Sequence, residues 1–207
     1  MSQLKLTADS GGGTVAIKGP ASTTGNAAIE LTVPGTGSGT LAVGDTGKIL
    51  QVAQAVKTDT QSLASSATPV DITGLSITMT PASSSSKFYI TGKLCLSDQN
   101  YTQTIAHLNV NGTLVGQPAA AGSRTSGHTG VGYIENEDQY AVNTVPIDFL
   151  VDASNANAHT IKVQWSQTDV TSNASKTIYI NRSVTDSDAS GSGSRYISTL
   201  TVMEVAG

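Results

Sequence analysis

The sequence predicts an all-β chain: an antiparallel β-sandwich, jelly-roll-like, preceded by an extended N-terminal arm. Three observations carry that expectation. From Lys48 onward, apolar and polar residues alternate with period two in one short segment after another, the pattern of half-buried strands. Gly, Asn, Asp, Ser and Pro punctuate those segments at intervals too short for a helix of ordinary length. Before Lys48 the alternation breaks off within a few residues at a Gly or a Pro, leaving too little apolar surface for a core.

In chain order, Leu4-Lys5-Leu6, Val15-Ala16-Ile17 and Ile29-Glu30-Leu31-Thr32-Val33 are expected as short strands. Val15 to Pro20 and Ile29 to Pro34 echo each other, each a strand ended by a proline, which cannot donate to a ladder. The first 47 residues hold no aromatic side chain. Burial of this segment alone can hardly offset the ~1–2 kcal/mol of backbone entropy that each ordered residue costs. It reads either as a disordered tail or as an arm that adds strands to a neighbouring chain or docks on a larger assembly. Gly35-Thr36-Gly37-Ser38-Gly39 and Gly44-Asp45-Thr46-Gly47 then make a flexible or sharply turning connector. The expected division is an attachment arm and linker over residues 1–47 and a β-sandwich over 48–207.

Within the second part, Val70 and Ile72 followed by Leu75, Ile77 and Met79 alternate as a strand. Phe88, Ile90, Leu94 and Leu96 fall on one face of the next, with Tyr89, Thr91, Lys93 and Cys95 on the other. Asn111-Gly112 between two apolar runs, Leu108 to Val110 and Leu114-Val115, is a strong short-range hairpin signal. Val145, Ile147 and Phe149, then Ile161, Val163 and Trp165, then Ile178 and Ile180 alternate likewise. The run Tyr196 to Val205 is the last strand. About nine or ten strands in this length suit a two-sheet sandwich of jelly-roll type. Gln117–Gly130 and Ser183–Ser194, small and polar, are expected as exposed loops.

Composition narrows the function. Glycine, serine and threonine make up 74 of the 207 residues and only 13% are charged, so the surface is neutral and hydroxyl-rich. A net charge of −4 with scattered Lys and Arg provides no basic stripe for a phosphate backbone, and nucleic acid is not an expected partner. No apolar run approaches the length of a membrane span, and Met1-Ser2-Gln3-Leu4 lacks the basic and apolar regions of a signal peptide, which points to a product made and kept in a cytoplasm or released by lysis. The single Cys95 leaves no intrachain disulfide and no Cys-based zinc site.

The string Leu4-Lys5-Leu6-Thr7, Gly11-Gly12-Gly13-Thr14-Val15, Lys18-Gly19-Pro20-Ala21-Ser22, Asn26-Ala27-Ala28, Leu31 and Val33-Pro34 resembles the openings of fibre and appendage proteins of tailed bacteriophages, marine phages especially. Gly47 to Val52, Val70 to Leu75, Tyr179 to Ser183 and Leu200 to Val205 are similar to the β-sandwich that follows in that group. The resemblance implies a non-enzymatic virion protein, a homotrimer whose arm attaches it to other virion proteins while the sandwich projects outward. The long shafts of many relatives are absent, which favours a short appendage or a capsid-decorating (cement) protein over an extended tail fibre. A carbohydrate-binding β-sandwich module is the third reading.

Catalytic patterns are not evident. His107, His128 and His159 lack metal-ligand spacing, and His107 and His159, in or beside expected strands, read as structural. Ser123, Ser126 and His128 share a loop, yet no strand-to-helix elbow and no orienting carboxylate accompany them. Glu135, Glu137 and Asp138, and Asp186 with Asp188, offer hard oxygen ligands but match no calcium-loop pattern, so solvated charge is the expectation and no cofactor or metal is assigned. Trp165 is expected in the core, and Tyr101, Tyr133 and Tyr140 near loops. The loop residues chosen as binding candidates, toward a host-surface glycan or protein, are Arg124, His128, Tyr133, Asp186 and Asp188.

Overall fold

The computed structural model describes residues 3–7, 14–18, 47–64, 66–99, 102–132, 139–169, 176–190 and 193–207. The chain divides into two compact units, Met1–Val43 and Gly44–Gly207. In the first, β1 (Gln3–Thr7) and β2 (Thr14–Lys18) form an antiparallel pair whose register sets Leu4 against Ile17 and Leu6 against Val15. The expected strand at Ile29–Val33 lies outside the described residues.

The second unit is all-β, with no helix among its described residues. Its strands are β3 (Ile49–Lys57), β4 (Gln61–Ala64), β5 (Val70–Met79), β6 (Lys87–Asp98), β7 (Thr102–Val110), β8 (Thr113–Val115), β9 (Thr129–Val131), β10 (Asn143–Asp152), β11 (His159–Asp169), β12 (Thr177–Ile180) and β13 (Ser198–Val205). They form two antiparallel sheets. One runs β3–β13–β6–β10, with β12 continuing the line of β13 along β6 and β4 continuing the line of β3. The other runs β5–β11–β7, with β8 and β9 end to end along the far edge of β7. Counting each broken strand once, the sheets have four positions apiece. The chain crosses between sheets at nearly every connection, which is the jelly-roll wrapping.

Period-two alternation explains the core. Phe88, Ile90, Leu94 and Leu96 of β6, Ala106 and Leu108 of β7, Ile161, Val163 and Trp165 of β11, and Leu200 and Val202 of β13 are buried in one cluster between the sheets. Trp165 is fully buried, as its alternation predicts. Asn111 and Gly112 take positive φ values of 51° and 88°, the geometry that an Asn-Gly hairpin turn requires, and join β7 to β8. Gly92 is required for a different reason: a Cβ there would collide with the Thr199 carbonyl on β13.

Cys95 departs from the outward position that its alternation suggests. It is 2% exposed, because the Ile197 carbonyl and Thr144 cover its sulfur at 3.4 and 3.7 Å. The side of the sandwich where β3/β4 meets β5 is laced by side chains instead of a ladder. Gln51 donates to Thr80 O at 2.8 Å, Lys57 to Thr73 O at 2.9 Å and Gln61 to Asp71 O at 3.2 Å, while Gln61 Oε1 accepts from Thr73 N at 2.9 Å.

Candidate functional site

The two polar loops chosen from the sequence lie on different parts of the sandwich, and among the described residues no hydrogen bond or ion pair joins them. The β8–β9 loop lies against the outer face of the β5–β11–β7 sheet. His128 N donates to Ala106 O at 2.8 Å, and Thr168 of β11 bonds Thr125 at 3.3 Å. Arg124 is exposed at the tip, where its backbone N–H and its guanidinium both bond Ala121 O, at 3.3 and 3.2 Å. His128 is half-buried and spoken for. Its Nε2 accepts from Asp148 N at 3.4 Å, which leaves Nδ1 to donate to Gly116 O at 3.4 Å, and its ring meets Phe149 edge-on at 5.9 Å. Part of the loop is thus tied down, and it helps cover His107.

His107 is 3% exposed, with Nε2 2.9 Å from Ser166 Oγ. Burial lowers its pKa, against a smaller opposing effect of Gln117, so the ring is neutral near pH 7. His159 is also buried, with Nδ1 donating to Asn157 O at 2.7 Å and its ring 5.3 Å from Phe88.

The second loop leaves β12 at Asn181 and returns at Arg195, where an antiparallel bridge with Arg182 closes its base. Asp186 sits between two arginines: Arg195 bonds one carboxylate oxygen, and Arg182 lies 3.1 Å from the other. Arg195, backed by Arg182, holds this carboxyl below the usual range despite some desolvation. Arg182 also stacks on Tyr179, its guanidinium carbon 4.4 Å from the ring centre. Such a carboxylate closes a loop and is not open to a cation. Asp188 is exposed, and with Ser187, Ser190 and Arg195 it lines a recess of about 670 Å3. Among the described residues no three His, Cys, Asp or Glu side chains converge as a metal site. Tyr133, Tyr101, Glu135, Glu137 and Asp138 lie outside the described residues.

Three buried ionisable groups escaped the sequence reading. Asp98 ends the inward-facing series of β6, is 8% exposed and borders a cavity of about 190 Å3 with Gln99, Gln139, Lys176 and Val184. Its Oδ2 is 3.4 Å from Thr104 Oγ1 while Oδ1 has no partner, and burial pushes its pKa up to about 6. Gln167 is also buried, and neither of its side-chain polar atoms has a partner. Lys57 follows Ala53 and Ala55 on the inward face of β3 and spends its amine on Thr73 O and on Asp59, 3.0 Å away. Glu204 follows Leu200 and Val202 on β13. Extending the alternation past the last aliphatic residue identifies all three as inward-facing.

Around Lys57 and Asn181 the polar groups form a junction at the breaks in both strand lines, β3/β4 and β13/β12. Asn181, at φ 64°, donates from Nδ2 to the carbonyls of Lys57 and Asp59, each at 2.9 Å, and accepts from Ser198 Oγ at 2.7 Å. Ser198 Oγ in turn accepts from Cys95 N at 3.0 Å. The arrangement holds the strand breaks in place.

No family model matches this sequence, and no curated protein does. Among solved structures, the chain is similar to infectious bursal disease virus of the Gx strain, with 16% identity and a TM-score of 0.42 over 84% of this chain and 42% of that one. It is similar to the T13 particle of that virus at 14% identity and a TM-score of 0.41, covering 84% of this chain and 40% of that one. For the VP2 subviral particle the values are 14% and 0.38, over 76% and 38%. The chain therefore spans about two fifths of the chains it matches.

Proposed function

We propose that this chain is a non-enzymatic structural protein of a phage particle. In this reading it is an oligomer, three copies by the resemblance of its sequence, that is attached through residues 1–47 and projects its jelly roll as a short appendage. The observation that carries this reading is the two-unit organisation. The second unit encloses its own core, whereas the strands described in the first are a single two-stranded hairpin, which is marginal in water without another surface to pack on. An attachment segment has that character. Among the described residues of the loop set, host contact falls to Arg124 and Asp188, which are exposed, since His128 and Asp186 are engaged in holding their loops.

Deleting residues 1–44 tests the reading. The sandwich should stay folded by circular dichroism while the truncated protein disappears from purified particles; incorporation at normal occupancy refutes attachment through the arm. Counting copies on intact particles separates an appendage, present in a few sets, from a cement protein that tiles the capsid. The double substitution Arg124→Ala with Asp188→Ala should leave thermal stability unchanged and weaken adsorption to host cells. Unaltered adsorption removes the host-contact role and favours the cement protein.

A further inference from the structure

The pairing registers align side chains into rows across the outer face of the β3–β13–β6–β10 sheet. One row is apolar from edge to edge: Val52 faces Met203, Met203 faces Tyr89, and Tyr89 faces Leu150. Val52 is 57% and Leu150 51% exposed at its two ends. Ile49, Leu50 and Val56 extend the patch along β3 and are likewise exposed. Soluble domains seldom leave so broad an aliphatic surface in water without a partner.

We propose that this ridge is the contact between copies of the chain, each ridge packing against the ridges of its two neighbours around a threefold axis. This identifies the surface used by the oligomer proposed above and rests on that reading. Charge favours a like partner. On one side of the ridge Lys87 is paired with Asp152, and on the other Asp148 accepts the Tyr89 hydroxyl at 3.0 Å while Gln54 bonds Thr201 at 2.9 Å. Lys93, exposed on the same face, offsets Asp148 in sign, so the charges there, Lys87 and Lys93 against Asp148 and Asp152, sum to zero and do not repel a like copy. Size agrees: four strands ~4.8 Å apart and a length of ~25 Å along β3 give roughly 500 Å2 in projection. With side-chain relief, that approaches the ~800 Å2 per partner of a specific interface. Composition agrees too. The outward residues of β3, Leu50, Val52, Gln54 and Val56, include no charge to disfavour burial of this face.

The test is the mass of the full-length protein in solution by sedimentation. Wild type should sediment as an oligomer. Val52→Asp and Leu150→Asp should each yield a folded monomer, and Leu114→Asp, on β8 of the other sheet, should leave the oligomer intact. An oligomer unaffected by both ridge substitutions overturns the assignment but leaves the attachment role standing, because particle incorporation through residues 1–47 is scored separately. Should the aspartate variants fail to fold, Leu150→Cys decides. The only native cysteine, Cys95, is buried, so an introduced thiol shielded from a maleimide in the oligomer supports the contact, and one that reacts freely in the oligomer overturns it. A monomer whose introduced thiol is nevertheless shielded from a maleimide also overturns it, in favour of cover by the chain's own residues.

Discussion

Glu204 offers the sharpest test of the physical reasoning. Its side chain is completely buried, and its carboxylate accepts three hydrogen bonds. Ser86 Oγ and Ala82 N each reach Oε1 at 2.7 Å, and Gln51 Nε2 reaches Oε2 at 2.6 Å. Burial alone would raise its pKa, but the bonds from Ser86, Gln51 and Ala82 outweigh burial and hold the carboxyl below its ordinary value. Glu204→Gln keeps an acceptor for Ser86 and Ala82 but turns an NH2 toward Gln51 Nε2, which already donates to Thr80. Bonds to a charged group are worth about 1.5–3 kcal/mol and neutral ones about 0.5–1.5 kcal/mol. Part of that loss is returned because no charge is desolvated, so the net cost is about 2 kcal/mol at pH 7. That corresponds to roughly 4–8 °C in Tm for a chain of this length. Because the folded pKa is depressed, the wild-type contribution is complete above pH 4.5, the ordinary glutamate value, and disappears as pH falls through the lower folded value. Urea unfolding at fixed protein concentration, at pH 7 and pH 3, should therefore show a gap between variant and wild type that narrows at the lower pH. No gap at pH 7, or one that persists undiminished at pH 3, refutes the account.

The remaining expectations can be checked on the same material. Asp98→Asn should flatten stability against pH. With the folded pKa raised to about 6, wild type is favoured most below pH 3.8 and loses up to about 3 kcal/mol by pH 6, and a variant that retains this slope would place its origin elsewhere. Asn181→Ala should cost about 3 kcal/mol, since it strands the Lys57 and Asp59 carbonyls and forces an alanine to φ 64°. Asn181→Gly should cost about 1 kcal/mol less, because only the backbone strain is relieved; equal losses would deny the strain any part. Asp186→Ala should shift stability by no more than about 1 kcal/mol while exposing residues 187–194 to limited proteolysis, and unchanged cleavage would mean that the arginine pair does not hold the loop.

By itself the sequence determined the all-β class, the sandwich and most of its strands, because each depends on neighbours two residues apart. Phe88 to Leu96 and Ile161 to Trp165 show their core faces without any knowledge of partners, and Asn111-Gly112 marks its turn through the φ preferences of two residues. The short strands β4 and β9 left no such trace, having too few residues to establish a period. Tertiary structure alone decided which strands pair, and with them everything that depends on juxtaposition across the chain. Glu204 meets Ser86 and Ala82 more than a hundred residues away, Cys95 is covered by Ile197, and Val52, Met203, Tyr89 and Leu150 become one apolar row. Asp186 shows the same division within a single loop: its sequence context reads as solvated charge, but the bridge between Arg182 and Arg195 brings two guanidinium groups onto its carboxylate and closes the loop. Alternation records which face a residue takes. It carries no information about what stands opposite, since that is set by loop closures and register between strands distant in sequence.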